Sequence, residues 1–154
     1  MEKSKKRILI VDDDAMILRS FKEILQREGY VVDTAPTGAE AIQKSIAEFY
    51  NLALIDIRLP DMEGTKLLTE MRETIPKMRK IIVTGFPDLQ NAIAAIRGAA
   101  DDYLTKPANP STLITTIARQ LEMQTKEGDY DQKKVVDYIE SRVKELESND
   151  SSNK

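Results

Sequence analysis

Short apolar, β-favouring runs alternate with amphipathic segments along most of this chain, and that alternation restricts the fold more than any other feature of its sequence. The strand candidates are Arg7–Val11 (RILIV), Tyr30–Asp33 (YVVD), Leu52–Ile55 (LALI), Lys80–Val83 (KIIV) and Asp102–Leu104 (DYL). In the first intervening segment Ile17, Phe21, Ile24 and Leu25 recur at helical spacing, and Gly29 supplies a C-terminal stop. A second helix is predicted from Gly38 through Ala41, Ile42 and Ile46, and a third around Leu67, Leu68 and Met71. The fourth runs from Pro87 to Arg97 and the fifth from about Pro110 to Met123. Strands that alternate with helices in this way predict a parallel sheet covered by helices on both faces.

With 154 residues and 41% hydrophobic content, the chain can build one core with a short appendage. Its charged residues are mixed in sign, with a formal net charge of -3, and its one basic run, Lys3 to Arg7, sits at the very start. General nucleic-acid binding is therefore not expected. The chain has neither Cys nor His, which excludes disulfides, thiol nucleophiles, imidazole bases and Cys/His zinc sites. No apolar stretch approaches the roughly 18 residues of a membrane span, and the start does not read as a signal peptide. A cytoplasmic protein is expected.

Right-handed crossovers bring the C-terminal ends of parallel strands to one edge of the sheet, where ligands of such folds bind. Just past those ends lie Asp12, Asp13 and Asp14, then Asp56, then Thr84, and finally Thr105 and Lys106. Two unit charges about 4 Å apart interact by roughly 4 kcal/mol at an effective dielectric of 20, so clustered carboxylates require a compensating cation. With no nitrogen or sulfur ligands available, a hard divalent ion suits the site, and Mg2+ favours a few carboxylates, some water and a phosphate oxygen. Lys106 adds a positive charge and Thr84 a hydroxyl donor. Such a set can stabilise a transferring phosphoryl group with one carboxylate as nucleophile. Asp14 has a simpler reading, as the N-cap of the following helix.

Four motifs carry a resemblance. They are VDDD at Val11–Asp14, LIDIRLPDMEG at Leu54–Gly64, IIVTG at Ile81–Gly85 and DDYLTKP at Asp101–Pro107. In this order and at these separations they resemble the receiver domains of response regulators over about residues 6–123. The resemblance implies a flavodoxin-like (βα)5 fold, a doubly wound five-stranded parallel sheet in the order 2-1-3-4-5, here with an extra C-terminal helix. It further implies that Asp56 is the phosphoacceptor, that Asp12 and Asp13 organise Mg2+, and that the backbone carbonyl of Arg58 is a further metal ligand. Thr84 would hydrogen-bond the phosphoryl oxygens, Lys106 would pair with the acyl phosphate, and Tyr103 would be the aromatic that turns inward as Thr84 moves. The Lys106-Pro107 bond is expected to be cis. The implied partners are a sensor histidine kinase or phosphotransfer protein and a downstream protein target.

Departures from the common pattern cluster near Asp56. Arg58 is bulky and basic, and Phe86 stands second after Thr84, so both are expected to flank the path of water to an acyl phosphate. Gly85 leaves the switch loop more freedom. The main alternative is a haloacid-dehalogenase-like phosphatase, because Asp12-Asp13-Asp14 offers an Asp-x-Asp. Met16 stands where that family expects a Thr-like residue, however, and Asp56 would go unexplained. A flavodoxin-like cofactor binder ranks last, because no phosphate loop follows the first strand. The expected chemistry is self-phosphorylation and autodephosphorylation at Asp56, not that of a conventional enzyme.

After residue 123 the sequence reads as a polar linker at 124–130, a separate amphipathic helix at 131–147 bearing Val136, Ile139, Val143 and Leu146, and a disordered tail at 148–154. The helix is too short for a DNA-binding effector, so output by protein binding is expected, without direct DNA contact. Packing back on the domain is the favoured role of this helix, with dimerisation or partner docking as alternatives. The resemblance also implies a signalling surface on the fourth helix, fifth strand and fifth helix, which here includes Tyr103 and the Ala-rich stretch Asn91–Ala100.

Overall fold

The computed structural model describes residues 5–85, 93, 97 and 100–152, with side chains through residue 149. Five strands form one parallel sheet in the order β2-β1-β3-β4-β5: β1 (Arg7–Val11), β2 (Val31–Ala35), β3 (Leu52–Asp56), β4 (Arg79–Thr84) and β5 (Asp102–Thr105). The helices are α1 (Ala15–Arg27), α2 (Gly38–Ala47), α3 (Gly64–Glu70) and α4 (Pro110–Ser152). This is the expected doubly wound, flavodoxin-like fold. The strands differ from the sequence reading mainly at their ends, and β3 and β4 each run on to take Asp56 and Thr84 as their last residues. The expected helix Pro87–Arg97, Phe86 and the stretch Asn91–Ala100 lie outside the described residues, apart from Ile93, Arg97 and Ala100.

Two apolar layers explain why the strands lack a polar face. Successive strand residues point to opposite sides of a sheet. On one side Ile8, Ile10, Leu52, Leu54, Ile81 and Val83 pack under Phe21 and Leu25 of α1 and under Leu113, Ile117 and Leu121 of α4. On the other, Leu9, Val11, Ala53, Ile55 and Ile82 pack with Ala41 of α2 and with Leu67 and Leu68 of α3. A strand buried on both faces must be apolar throughout, as the central strands are.

Local signals set the element boundaries. Asp14 caps α1 as expected, its carboxylate accepting from the backbone N–H groups of Met16 and Ile17. Gly29 follows the end of α1 with φ +96°, a left-handed conformation that costs other residues a Cβ clash. Thr37 caps α2 by accepting from Glu40 N at 3.1 Å. The Lys106-Pro107 bond is cis, as is Ile75-Pro76.

The structure corrects the reading of the chain after residue 123. No linker separates two helices and no tail begins at 148, because α4 continues as one helix of 43 residues. Three of the polar residues read as a linker, Gln124, Lys126 and Glu127, are straight-chain helix formers, and Glu122 and Lys126 pair along the helix at 3.0 Å. Gly128 costs about 1 kcal/mol in a helix interior, but a helix already nucleated on the domain extends through one such residue. Glu127 still reaches the body, pairing with Arg79 at 2.6 Å, and residues as far as Val135 flank a groove against residues 74–77, whereas residues 136–149 are exposed and do not pack back on it.

The loop between β3 and α3 is tightly drawn. Gly64 N donates to Ile57 O at 2.7 Å and Leu59 N to Met62 O at 3.2 Å. A Cβ on Gly64 would lie 2.2 Å from the backbone oxygen of Asp56. Gly64→Ala is therefore expected to destabilise the fold by about 1–3 kcal/mol, the range for an overpacked site, measured by urea denaturation. Unchanged stability would mean that this loop yields freely.

Candidate functional site

The strand order reverses at β1, with β2 on one side and β3 on the other, which opens a crevice at the C-terminal ends of β1 and β3. A cleft of ≈ 340 Å³ lies there, lined by Asp12, Asp13, Asp14, Ile17, Asp56, Arg58, Gly85 and Lys106. Asp12 follows β1 and Asp56 ends β3, so strand alternation directs both toward the face covered by α1. Asp12 and Asp56 are buried and Asp13 is exposed, and each offers a carboxylate oxygen within 4.8 Å of the others.

Lys106 joins these acids. Its Nζ donates to Asp12 Oδ2 at 2.7 Å and lies 3.5 Å from Asp56 Oδ2. Its position is fixed from behind, since Lys106 N donates to Thr84 O at 2.7 Å across the ends of β5 and β4. Burial alone would lower the Lys106 pKa, but the hydrogen bond and charge of Asp12, with the charge of Asp56, outweigh it and hold the ammonium charged. For Asp56 the balance is opposite. Burial and then the neighbouring Asp12 charge raise its pKa, against the opposing pull of Lys106 and the Arg58 N–H. One ammonium thus does not fully compensate three carboxylates. The remaining negative charge, an all-oxygen donor set and the absence of His and Cys fit a hard divalent cation.

Not every predicted residue meets in the cleft. Asp12, Asp13, Asp56, Arg58 and Lys106 line it, whereas Thr84 does not. Thr84 is fully buried, and its place two residues after Ile82 puts it on the opposite face of the sheet from Asp56. Tyr103, paired with Ile82 in register, packs partly buried against that same face. Thr84 and Tyr103 are therefore neighbours on one face, one strand apart.

Sequence reasoning missed Asp61. Its two carboxylate oxygens accept from Gly38 N and Ala39 N, both at 2.9 Å, which ties the loop after Asp56 to the start of α2. These backbone bonds lower its pKa. An acid beside Pro60 in a loop gives no local sign of a contact more than twenty residues away. Ile17 and Gly85 were likewise not expected as lining.

The sequence matches the family model of the response regulator receiver domain over residues 8–118. It is 41% identical over 118 residues to the alginate biosynthesis transcriptional regulatory protein AlgB of Pseudomonas syringae pv. tomato, covering 77% of this chain and 26% of that protein. It is 34% identical over 112 residues to the transcriptional regulatory protein ResD of Bacillus subtilis, covering 72% of this chain and 46% of that protein. The chain thus spans from about a quarter to just under half of these curated relatives. Among solved structures, the CheY-like response regulator receiver domain protein from Methanospirillum hungatei JF-1 superposes with a TM-score of 0.77 at 51% identity, covering 81% of this chain and 100% of that chain.

The raised pKa of Asp56 has a thermodynamic consequence. A carboxyl whose folded pKa lies above its unfolded value favours folding at low pH, and that contribution is lost as pH rises from about 3.8 through the folded value. Asp56→Asn is therefore expected to raise the melting midpoint in metal-free buffer at neutral pH, with the gain vanishing toward acid. A saturating divalent cation should narrow the gap, because ligand at 100 times its Kd stabilises the wild type by about 2.7 kcal/mol. Differential scanning calorimetry across pH checks both, and a less stable neutral variant would contradict the charge argument.

Proposed function

This chain belongs to the response regulator receiver family of two-component systems, and from that membership we propose that it accepts a phosphoryl group on Asp56 and signals by binding another protein. The observation that carries the proposal is Lys106, whose one ammonium faces both Asp12 and Asp56. Structural helix caps would need no such lysine. Residues 6–123 form the receiver in this reading.

A carboxylate oxygen of Asp56 attacks phosphorus in a phosphohistidine of a sensor kinase or phosphotransfer protein, or in a small acyl phosphate. A P–O bond forms to Asp56 as the bond to the leaving imidazole or carboxylate breaks, and the leaving group keeps the electron pair. Asp12, Asp13, Asp56 and the backbone carbonyl of Arg58 would hold Mg2+, which when bound offsets charge on the phosphoryl oxygens. Lys106 is placed to exchange its contact with Asp56 for one with the acyl phosphate. The Thr84 hydroxyl then moves toward the phosphoryl group, and Tyr103, its neighbour on the same face, fills the space it leaves. Two-state coupling of this kind converts a charge at the strand end into a change of surface shape.

Downstream of the switch, the reading is output through protein contact and not direct DNA contact. AlgB and ResD are named as transcriptional regulatory proteins, yet this chain covers only part of either. Among the described residues no helix is long and apolar enough to cross a membrane.

Intact-mass spectrometry after incubation with acetyl phosphate and Mg2+ tests the acceptor. One phosphoryl adduct is expected, absent in Asp56→Ala and in the chelated control. No adduct on folded, metal-loaded protein would remove the acceptor reading, and steady phosphate release from phosphomonoesters would favour the phosphatase. Arg58 is exposed at the cleft rim, where its charge and bulk hinder water. Replacing Arg58 and Phe86 together by serine is expected to shorten the phosphorylated lifetime several-fold, read as decay of the adduct. An unchanged decay would show that neither side chain shields the site.

A further inference from the structure

Beyond its last contacts with the body, α4 carries an apolar seam that no described residue covers. Val136, Ile139, Val143 and Leu146 follow one another at intervals of three, four and three and are each 46–59% exposed. We propose that this seam joins the same seam of a second copy of the chain in a parallel two-stranded coiled coil, independently of the phosphoryl chemistry.

Three features specify that occupant. Taking Val136 as heptad position a makes Val143 the next a and places Ile139 and Leu146 at d, so β-branched residues occupy a, the arrangement that favours two strands. In a parallel pair the flanking g and e positions then bring Arg142 of one copy against Glu147 of the other, with opposite charges. The antiparallel pairing that keeps all the apolar layers brings Glu140 against Glu140 and Arg142 against Arg142, which repel. The seam therefore distinguishes its own parallel copy from the reverse arrangement.

Anchoring makes so short a seam usable. An isolated segment of this length would have to pay for helix nucleation, but here the same helix is held upstream by Leu113, Ile117 and Leu121 in the core. Gln124 adds hydrogen bonds to Asn51 O at 2.9 Å and Lys77 O at 2.8 Å. At 3.6 residues per turn the seam lies roughly 65° round the helix from this anchoring stripe, so it is not the face that α4 buries against its own body. The seam also begins one residue after Val135, the last position of α4 that lines the groove against Thr74, Ile75, Pro76 and Lys77.

Sedimentation equilibrium of the full chain, from low micromolar to near-millimolar concentration, tests the proposal. A reversible dimer is expected. Ile139→Asp should weaken it by about tenfold or more, since 1.4 kcal/mol suffices for that factor. Arg142→Glu and Glu147→Arg should each weaken it, and their combination should restore it. Lys134→Glu, on the outer face, should change nothing, and far-UV circular dichroism controls for helix loss in every variant. A chain that stays monomeric throughout would overturn the proposal, even if the seam then captured a helix of another protein. A dimer indifferent to Ile139→Asp would overturn it too, and a double charge swap that fails to restore association would overturn the parallel pairing.

Discussion

The ammonium of Lys106, set between Asp12 and Asp56, is the contact on which the rest of the site depends. Three carboxylates whose oxygens lie within 4.8 Å of one another repel strongly in a partly buried cleft, and one lysine only partly offsets them. Burial first, and then the charge of Asp12, leaves the Asp56 pKa raised, and the uncompensated charge makes the cleft receptive to a divalent cation. It also explains the framework around it. The backbone of Lys106 is pinned to Thr84 O, and the loop after Asp56 is tied to α2 through Asp61, so the charges cannot relax by moving apart.

The sheet separates the chemistry from its readout. Asp12 and Asp56 belong to the face under α1, while Thr84 and Tyr103 belong to the other. A charge placed at the strand ends can therefore be felt on both faces only through the ends of β4 and β5, which are six and four residues long and end at Thr84 and Thr105. In the proposed switch these short strands are the lever. α4 leaves the body on the Asp56 face, where its first turns form part of the core, and its exposed continuation is part of the same unbroken helix. Any pairing of two such helices would fix the distance between two receiver bodies.

Some of this was legible because it is local. The β1 run RILIV and the cap of α1 at Asp14 are written in consecutive residues, and the structure places them as read. The donor chemistry was equally plain, since a chain without His or Cys that puts Asp12, Asp13 and Asp56 at strand ends offers oxygen ligands only. At 124–130 polarity and Gly128 suggest a break, but the helix runs straight through. Polarity reports exposure, and an exposed segment need not be unfolded when it continues a helix already formed.

The sequence by itself determined the strand and helix alternation, the apolar character of strands covered on both sides, the oxygen-only donor set and the heptad spacing of Val136, Ile139, Val143 and Leu146. Each is a property of neighbouring residues or of composition. Tertiary structure alone decided that Lys106 touches Asp12 as well as Asp56 and that Asp61 accepts from the first backbone N–H groups of α2. Those relations cross from one strand or loop to another that is distant in sequence, and they depend on strand order and on the face to which each side chain turns. No local periodicity encodes them, because a shift of one residue in register would turn every side chain of a strand to the opposite face.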